Sequence, residues 1–277
     1  MIKSCVIGWP IMHSRSPLIH NFWLNKYHIV GSYERVAIEP QHLAEFLKNL
    51  RANGFAGCNV TLPHKESAIA TIDHCDDSVK AIGALNTVYL RSSETYATST
   101  DGDGFLQNLI AHFPGCELGG KNITILGAGG SAKAIIHRLL KINVNSITVA
   151  NRTLPRAQDL QNSFGPKIIP IETQHLDLKT CDLLINTTSQ GMIGQPELDI
   201  DLNALPITAI VADIVYVPLK TQFLLKAEAR GNGIVPGLGM LLHQAVRGFE
   251  LWFGVKPEVT PELYALIARD IDPDFKS

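Results

Sequence analysis

A cluster of small residues between an apolar strand and a helix is the feature that most constrains this fold. The segment ILGAGGSAKA, residues 125–134, fits the pattern GxGxxA with Gly127, Gly129 and Ala132 at the three positions. Such clusters occur in many ordinary turns, but here the stretch NITIL precedes it and an amphipathic helical pattern follows. That context is typical of a dinucleotide-binding βαβ unit, in which the glycines permit a tight turn and close backbone approach to a pyrophosphate. The helix N-terminus would then bind the anion.

The end of the next predicted strand indicates which dinucleotide is bound. SITVA runs into Asn151, Arg152, Thr153 and Arg156, without the Asp or Glu that usually binds the ribose 2′-hydroxyl of NAD. A guanidinium suits a 2′-phosphate, because it forms forked, charge-assisted hydrogen bonds. The sequence therefore favours NADP, the alternative being two ordinary surface arginines.

Strand-like and helix-like segments alternate on both sides of the glycine cluster, which predicts an α/β fold with mostly parallel sheets. The segment PGCELGGK, residues 114–121, has the composition of a connection between domains. The predicted strands form two series: KSCVIG, SYERVAIE, GCNVTL and NTVYL, then NITIL, SITVA, PKIIPI, DLLINT and AIVADIV. We therefore expect a Rossmann domain and a second α/β domain.

Composition narrows the class of ligand. The chain of 277 residues is 45% hydrophobic, with a net charge of -2, so we expect two domains and no nucleic-acid partner. It contains no apolar run of about 20 residues, so we expect no membrane span and a cytoplasmic location. Five scattered cysteines without CxxC and ten histidines without HExxH indicate neither disulfides nor a metal site. A small-molecule substrate is the remaining expectation.

The stretch CNVTLPHKES places a lysine just beyond a predicted strand. Pro63 ends strand pairing, so Lys65 would lie at the carboxyl end of the sheet. Hydride transfer to or from an alcohol requires a proton donor or acceptor. His13, His64, Lys65 and Asp101 are the candidates. For each histidine taken alone, a core or surface role is the better interpretation.

Taken together, the motifs resemble the NADP-dependent shikimate 5-dehydrogenase family over nearly the whole chain. The matching segments are HSRSPLIHN, NVTLPHK, GALNT, STDGDG, ILGAGGSAKA, NRT, NTTSQGM, DIVYVPLKT and GLGMLLHQA, in the family's order and spacing. The resemblance implies that Lys65 is the catalytic acid/base and Asp101 its charged partner. It also implies that the substrate is bound by Ser14, Ser16, Thr61, Lys65, Asn86, Asp101, Tyr216 and Gln244.

The same resemblance implies the contacts with NADP. Those residues are Asp77, Gly127, Ala128, Gly129, Gly130, Ser131, Asn151, Arg152, Thr153, Leu154, Pro155, Arg156, Ile214 and Gly237. Asp77 rests on the resemblance alone. The chain departs from the family at Ser99, where many members carry Asn.

The chemistry of the implied residues suits shikimate, which offers one carboxylate and three hydroxyl groups. Ser, Thr, Asn, Gln and Tyr provide both donors and acceptors. Alternatives remain for single residues: Ser14 and Ser16 could cap a helix starting near Pro17, and Asn86 could fill a turn. Arg15 is interpreted as a surface charge and is not assigned to the carboxylate.

The resemblance implies three chain segments and one activity. We expect a substrate domain over residues 1–103, an NADP-binding Rossmann domain over 104–236, and helices over 237–277 that return to the substrate domain. The implied activity is reduction of 3-dehydroshikimate to shikimate in chorismate and aromatic amino-acid biosynthesis, by a monomer or homodimer. Alternatives are an NAD-using quinate/shikimate dehydrogenase, a paralogous reductase and a non-catalytic NADP-binding sensor.

Overall fold

The chain divides into two compact units in the computed structural model, which describes residues 1–276. The first unit comprises Met1–Asp101 and Leu242–Ile267, and the second comprises Gly102–Leu241 and the residues from Ala268 onward. The chain therefore leaves the first unit after Asp101, returns to it at Leu242 and leaves it again after Ile267.

The first unit is built on a mixed six-stranded sheet in the order β2-β1-β3-β5-β6-β4. Strand β1 is parallel to β2 and β3, whereas β5 is antiparallel to β3 and β6, and β4 is parallel to β6. Its elements are β1 (Ile2–Gly8), α1 (Ser16–Lys26), β2 (Gly31–Ala37), α2 (Leu43–Lys48), β3 (Phe55–Val60), β4 (His74–Cys75), α3 (Asp77–Ile82), β5 (Thr87–Arg91) and β6 (Glu94–Thr98).

The antiparallel part of this sheet departs from the simple βαβ expectation. Strands β5 and β6 are separated by only Ser92 and Ser93, and Ser92 has a φ of 58°. Parallel strands need a crossover of a dozen or more residues, so such a short connection permits only a hairpin. The segment HKESAIATI carries apolar residues at helical spacing, which predicts a helix, but only a 3-10 turn, Ser67–Thr71, forms there.

The second unit contains a fully parallel six-stranded sheet in the order β12-β11-β10-β7-β8-β9. This order places the first and fourth strands of the unit side by side, as in the dinucleotide-binding Rossmann fold, and confirms that prediction. The elements from the start of this unit onward are α4 (Asp101–His112), β7 (Asn122–Leu126), α5 (Gly130–Lys141), β8 (Ser146–Asn151), α6 (Leu154–Phe164), β9 (Ile168–Glu172), β10 (Leu183–Asn186), β11 (Ile210–Asp213), α7 (Gln222–Ala229), β12 (Gly233–Val235), α8 (Leu238–Phe253) and α9 (Pro261–Ile271).

The composition of STDGDG predicts a turn followed by a helix that begins near Phe105. Helix α4 instead begins four residues earlier, at Asp101, and Gly102 and Gly104 are buried in it. At Gly102 a Cβ atom would overlap the carbonyl oxygen of Ala134, so glycine permits close packing against α5. Residues 114–121, predicted to connect two domains, lie inside the second unit. Gly115 and Gly120 have positive φ, so these glycines form local turns there.

The apolar interior of each unit surrounds its own sheet. In the first unit the core includes Ile7, Leu47, Val60 and Val88. In the second it packs the helices against strands β7, β8 and β10. No helix within residues 1–276 combines the length and apolar character needed to cross a membrane.

Candidate active site

Lys65 and Asp101 form a partly buried ion pair in the first unit. The Lys65 Nζ atom lies 2.7 Å from Asp101 Oδ2, and the two side chains are 27% and 17% exposed. The backbone of Lys65 is anchored, because its carbonyl oxygen accepts from the Leu85 N–H at 2.9 Å. Asp101 is the first residue of α4, where the helix dipole favours a carboxylate. The pair is therefore held in place from both sides.

The buried amide of Asn86 holds the second carboxylate oxygen of Asp101. Its Nδ2 atom donates to Asp101 Oδ1 at 2.7 Å. Its Oδ1 atom accepts from the backbone N–H of Thr100 at 3.0 Å and from the hydroxyl of Thr87 at 3.0 Å. Because these two donors fix which end of the amide is oxygen, the N–H group must point at Asp101. Asn86 is thus part of the Lys65–Asp101 cluster, and its role is not limited to filling a turn.

Helix α8 brings Gln244 to the same cluster. The Thr100 hydroxyl donates to the Gln244 carbonyl oxygen at 2.8 Å. The Gln244 side-chain oxygen lies 3.4 Å from Asn86 Nδ2, at the long limit for a hydrogen bond. Residues 158 positions apart in sequence thus share one site within the first unit.

A second row of polar side chains behind Asn86 was missed by the sequence analysis. The Tyr33 hydroxyl donates to Asn59 Oδ1 at 2.6 Å, and Asn59 Nδ2 donates to the Asn86 carbonyl at 3.1 Å and to Thr87 Oγ1 at 3.2 Å. Asn59 lies two residues before Thr61, so the two-residue period of a strand could have indicated it. Tyr33 is on β2 and had no such signal.

The surroundings of Tyr33 keep it neutral. Burial raises the pKa of Tyr33 well above its ordinary value, so its hydroxyl remains a donor at neutral pH. The ring of His20 stacks on it with centroids 4.0 Å apart. Burial lowers the pKa of His20 to about 3, and the nearby Asn59 amide, which raises that pKa, offsets the effect of burial only in part. Neither ring nitrogen of His20 makes a well-formed hydrogen bond.

Ser14 and Ser16 lie together where the chain enters α1. The Ser14 hydroxyl lies 3.3 Å from the Ser16 hydroxyl and also accepts from the Ser16 N–H at 3.3 Å. The N-cap position is occupied by Arg15, without a side-chain capping bond. Capping therefore does not account for Ser16, whereas Ser14 does satisfy one N–H of the first turn.

Two other proton-transfer candidates lack such surroundings. His64 is 1% exposed, and its Nε2 atom lies 2.7 Å from the carbonyl oxygen of Ile38, so the ring anchors backbone. His13 is exposed on the loop before α1.

Thr61, a predicted substrate-binding residue, follows β3 and is half-buried. Its N–H donates to the carbonyl oxygen of Ile7 at 3.0 Å.

The glycine cluster of the second unit fits a dinucleotide pyrophosphate. Gly127 has a φ of +99°, and a Cβ atom there would lie 2.9 Å from the Thr188 methyl group. Space is open around Gly129 and Gly130, and α5 starts at Gly130 without a side-chain cap. The free N–H groups of its first turn, which include Ser131, are thus available to an anion.

The predicted 2′-phosphate residues follow β8. Asn151 ends the strand and its side chain donates to the Thr153 carbonyl at 2.8 Å. Arg152 and Arg156 are exposed, and neither forms an ion pair within residues 1–276. Two unpaired guanidinium groups at this end of a Rossmann strand are suited to a phosphate.

Asp213, buried at the end of β11, organises the chain around Ile214 and Tyr216. Its carboxylate accepts from Asn186 Nδ2 at 2.9 Å, from the Val215 N–H at 2.9 Å and from the Thr221 hydroxyl at 2.7 Å. Burial raises the pKa of Asp213 to about 6, against these three hydrogen bonds, which lower it.

Family models match this chain in three segments. The shikimate dehydrogenase substrate-binding domain matches residues 6–88, the shikimate/quinate 5-dehydrogenase domain matches residues 110–197, and the shikimate 5′-dehydrogenase C-terminal domain matches residues 237–261. The chain belongs to the shikimate dehydrogenase family.

Relatives of this shikimate dehydrogenase family member match its sequence or structure over nearly their whole length. A curated NADP(+) shikimate dehydrogenase of Rhodopseudomonas palustris (strain HaA2) is 50% identical over 270 residues, covering 97% of this chain and 96% of the relative. The crystal structure of the Thermus thermophilus enzyme in complex with NADP(H) and shikimate is 34% identical, with a TM-score of 0.86, covering 98% of this chain and 100% of that one. Quinate dehydrogenase from Corynebacterium glutamicum in complex with NAD is 26% identical, with a TM-score of 0.87 over 95% of this chain and 97% of that one.

Two features of this shikimate dehydrogenase family member concern residues outside the cluster. Ser99, noted above as a departure from the family pattern, is buried, and its N–H donates to the Ser78 hydroxyl at 3.0 Å. Asp77 belongs to the first unit, where its exposed carboxylate lies 3.8 Å from Lys80. Its contact with the cofactor stays a prediction.

The raised pKa of Asp213 predicts a measurable pH dependence of stability. A carboxyl group whose pKa rises on folding stabilises the protein when protonated, and that contribution is lost as pH rises through about 6. Relative to Asp213→Asn, the wild type should therefore lose roughly 2 kcal/mol of unfolding free energy between pH 4 and pH 7.5. Urea unfolding of both proteins at several pH values measures this.

The control for that comparison is Asp201→Asn, at an exposed carboxylate that accepts from the Asn203 N–H. It should unfold with the pH dependence of the wild type. Parallel curves for the wild type and Asp213→Asn would contradict the assigned pKa.

Proposed function

We propose that this chain catalyses the reversible NADPH-linked reduction of 3-dehydroshikimate to shikimate in the pathway to chorismate and the aromatic amino acids. The observation that carries the proposal is the Lys65–Asp101 ion pair with Asn86 and Gln244 beside it. A nucleotide-binding protein without this chemistry would have no need of such a cluster. The non-catalytic sensor is therefore disfavoured.

The proton-transfer step belongs to Lys65. In the oxidative direction its neutral amine accepts the proton of the substrate 3-hydroxyl, and in the reductive direction its ammonium group donates that proton to the carbonyl oxygen. Asp101, 2.7 Å away, orients the amine and stabilises the ammonium form. Asn86 occupies the other carboxylate oxygen and so keeps Asp101 directed at Lys65. When bound, NADP accepts or supplies the hydride.

The remaining polar groups of the first unit would hold the substrate. We assign the substrate carboxylate to Ser14 and Ser16, whose hydroxyl groups lie side by side at the start of α1. The ring hydroxyls are assigned to Thr61, Asn86, Asp101 and Gln244. Tyr216 keeps its assignment to the carboxylate from the family resemblance alone.

The second unit would hold NADP. We assign the pyrophosphate to residues 127–131 and the 2′-phosphate to residues 151–156. Ile214 and Gly237 are assigned to the nicotinamide. At Gly237 a Cβ atom would clash with the carbonyl oxygens of Ile214 and Val215, 2.5 Å away, so these segments pack closely.

An NAD-using quinate/shikimate dehydrogenase is the second candidate. Its support is the structural similarity to a quinate dehydrogenase in complex with NAD. Arg152 disfavours it, because an acidic residue would be expected there to bind a free 2′-hydroxyl. NADP and shikimate are therefore the better-supported pair.

The setting of the enzyme is also a proposal. All five cysteines are free thiols, which suits a reducing compartment such as the cytoplasm. A net charge of -2 gives no basis for nucleic-acid binding. We propose a monomer or homodimer that acts on a small molecule alone.

Steady-state turnover of shikimate and quinate, each with NADP⁺ and NAD⁺, tests the function. Shikimate with NADP⁺ should give the highest kcat/KM. A preference for NAD⁺ with quinate would establish the second candidate instead, and no turnover of either alcohol would refute both.

Replacing Lys65 tests the acid/base assignment. Lys65→Met should lower kcat by at least about 100-fold, the lower range for general acid–base catalysis. The KM for shikimate should change little, because other residues are assigned most of the binding. Lys48→Met, at an exposed lysine of α2, is the matched control and should behave as wild type.

Asp101→Asn should also slow turnover, and the double variant with Lys65→Met should lose less than the product of the two effects. Circular dichroism must show that each variant is folded. A folded Lys65→Met protein with near-normal kcat would refute the role of Lys65.

Charge reversal at Arg152 tests the cofactor assignment. Arg152→Glu should weaken use of NADP⁺ much more than use of NAD⁺, since a carboxylate repels the 2′-phosphate but can accept from a 2′-hydroxyl. Lys141→Glu, at the C-terminal end of α5, reverses an exposed charge away from the glycine cluster and serves as control. Equal losses with both cofactors would contradict the assignment.

A further inference from the structure

The carboxylate subsite proposed above contains only neutral hydroxyl groups from Ser14 and Ser16. Hydroxyl groups can donate to a carboxylate, but a nearby cation adds a Coulomb attraction that neutral donors do not supply. The first unit supplies a cation at this point, and the sequence analysis did not identify it.

Arg35, on the edge strand β2, binds the backbone of Ser14. Its Nε and Nη2 atoms both donate to the Ser14 carbonyl oxygen, at 2.8 Å and 2.6 Å. The Ser14 N–H donates in turn to the Ile11 carbonyl at 3.0 Å. Both polar groups of the Ser14 backbone are thereby held, so its hydroxyl is directed by a fixed loop.

The charge of Arg35 is not used elsewhere. Arg35 is exposed and forms no ion pair among the described residues 1–276. An arginine commonly pairs with a carboxylate, yet this one binds a neutral carbonyl beside the two serines. Its positive charge therefore contributes to the potential at the place where a substrate carboxylate is expected.

We propose that Arg35 is a positioning residue for the carboxylate subsite, and that it confers preference for anionic substrates. It acts through Ser14, by fixing the loop, and through its charge, by attracting the carboxylate. This inference rests on the proposed function, because it takes shikimate as the ligand.

The experiment compares Arg35→Gln, Arg35→Lys and the wild type in shikimate oxidation with NADP⁺. Arg35→Gln should raise the KM for shikimate about tenfold, the effect of losing a charged hydrogen-bond donor at an exposed site, with kcat nearly unchanged. Arg35→Lys should lie between, because lysine keeps the charge but lacks the planar fork.

Arg51→Gln is the matched control. Arg51 is also an exposed arginine of the first unit, and its Nη1 atom donates to the carbonyl oxygen of Ser92 at 2.7 Å, at the β5–β6 turn. Its KM should equal that of the wild type. Thermal unfolding of all four proteins checks that they are equally folded.

Two further measurements distinguish the proposed electrostatic effect of Arg35 on the substrate carboxylate from a purely structural role of Arg35. Raised ionic strength should reduce the KM ratio between Arg35→Gln and the wild type, since exposed charges are screened. The ratio should also be smaller for the uncharged methyl ester of shikimate than for shikimate itself.

Several results would overturn the inference while leaving the proposed function intact. They are an Arg35→Gln KM equal to the wild type, an equal effect of Arg51→Gln, or a ratio that is the same for acid and ester at every salt concentration. Failure of the wild type to oxidise shikimate at all would instead refute the proposed function.

Discussion

A single buried amide organises the active-site cluster of the first unit. Asn86 is 3% exposed, so its side-chain N–H and C=O groups must find protein partners or incur a desolvation cost of about 1–3 kcal/mol each. The partners come from β5, from the start of α4, 15 residues from Asn86, and from α8, 158 residues away. Satisfying this amide therefore brings Asp101 and Gln244 together, and Asp101 in turn holds Lys65.

The parts of this fold that could be predicted from sequence are those whose signal is contiguous. The glycine cluster, with a strand before it and a helix after it, predicted the Rossmann unit, because strand, turn and helix follow one another directly. The antiparallel hairpin of β5 and β6 was harder to predict, because its two-residue turn places Ser92, and not a glycine, at positive φ. At α4 the glycines pointed to a turn, whereas close packing against α5 requires them in a helix.

Side-chain roles that depend on distant partners were predictable only through the family resemblance. The sequence offered four proton-transfer candidates and disfavoured the two histidines only on general grounds. The contact that removes His64, a hydrogen bond to Ile38, spans 26 residues, and the contact that supports Lys65 spans 36. Neither separation leaves a periodic pattern, so residue type alone could not distinguish the two. Tyr33 and Arg35 were missed for the same reason, because their partners lie on other strands and loops.

The two units place the residues proposed to bind anionic groups in the same local geometry. In each, a strand leads into a loop and then a helix N-terminus: β1 into α1 in the first unit, and β7 into α5 in the second. In each, the neighbouring parallel strand contributes an arginine, Arg35 from β2 and Arg152 just after β8. The two arginines differ in what they contact. Arg152 forms no ion pair among residues 1–276 and suits a phosphate, whereas Arg35 donates to the Ser14 carbonyl beside the hydroxyl groups of Ser14 and Ser16. Because the carboxyl ends of parallel strands gather at one edge of a sheet, each arginine lies at the same edge as the loop that leads from the neighbouring strand into a helix.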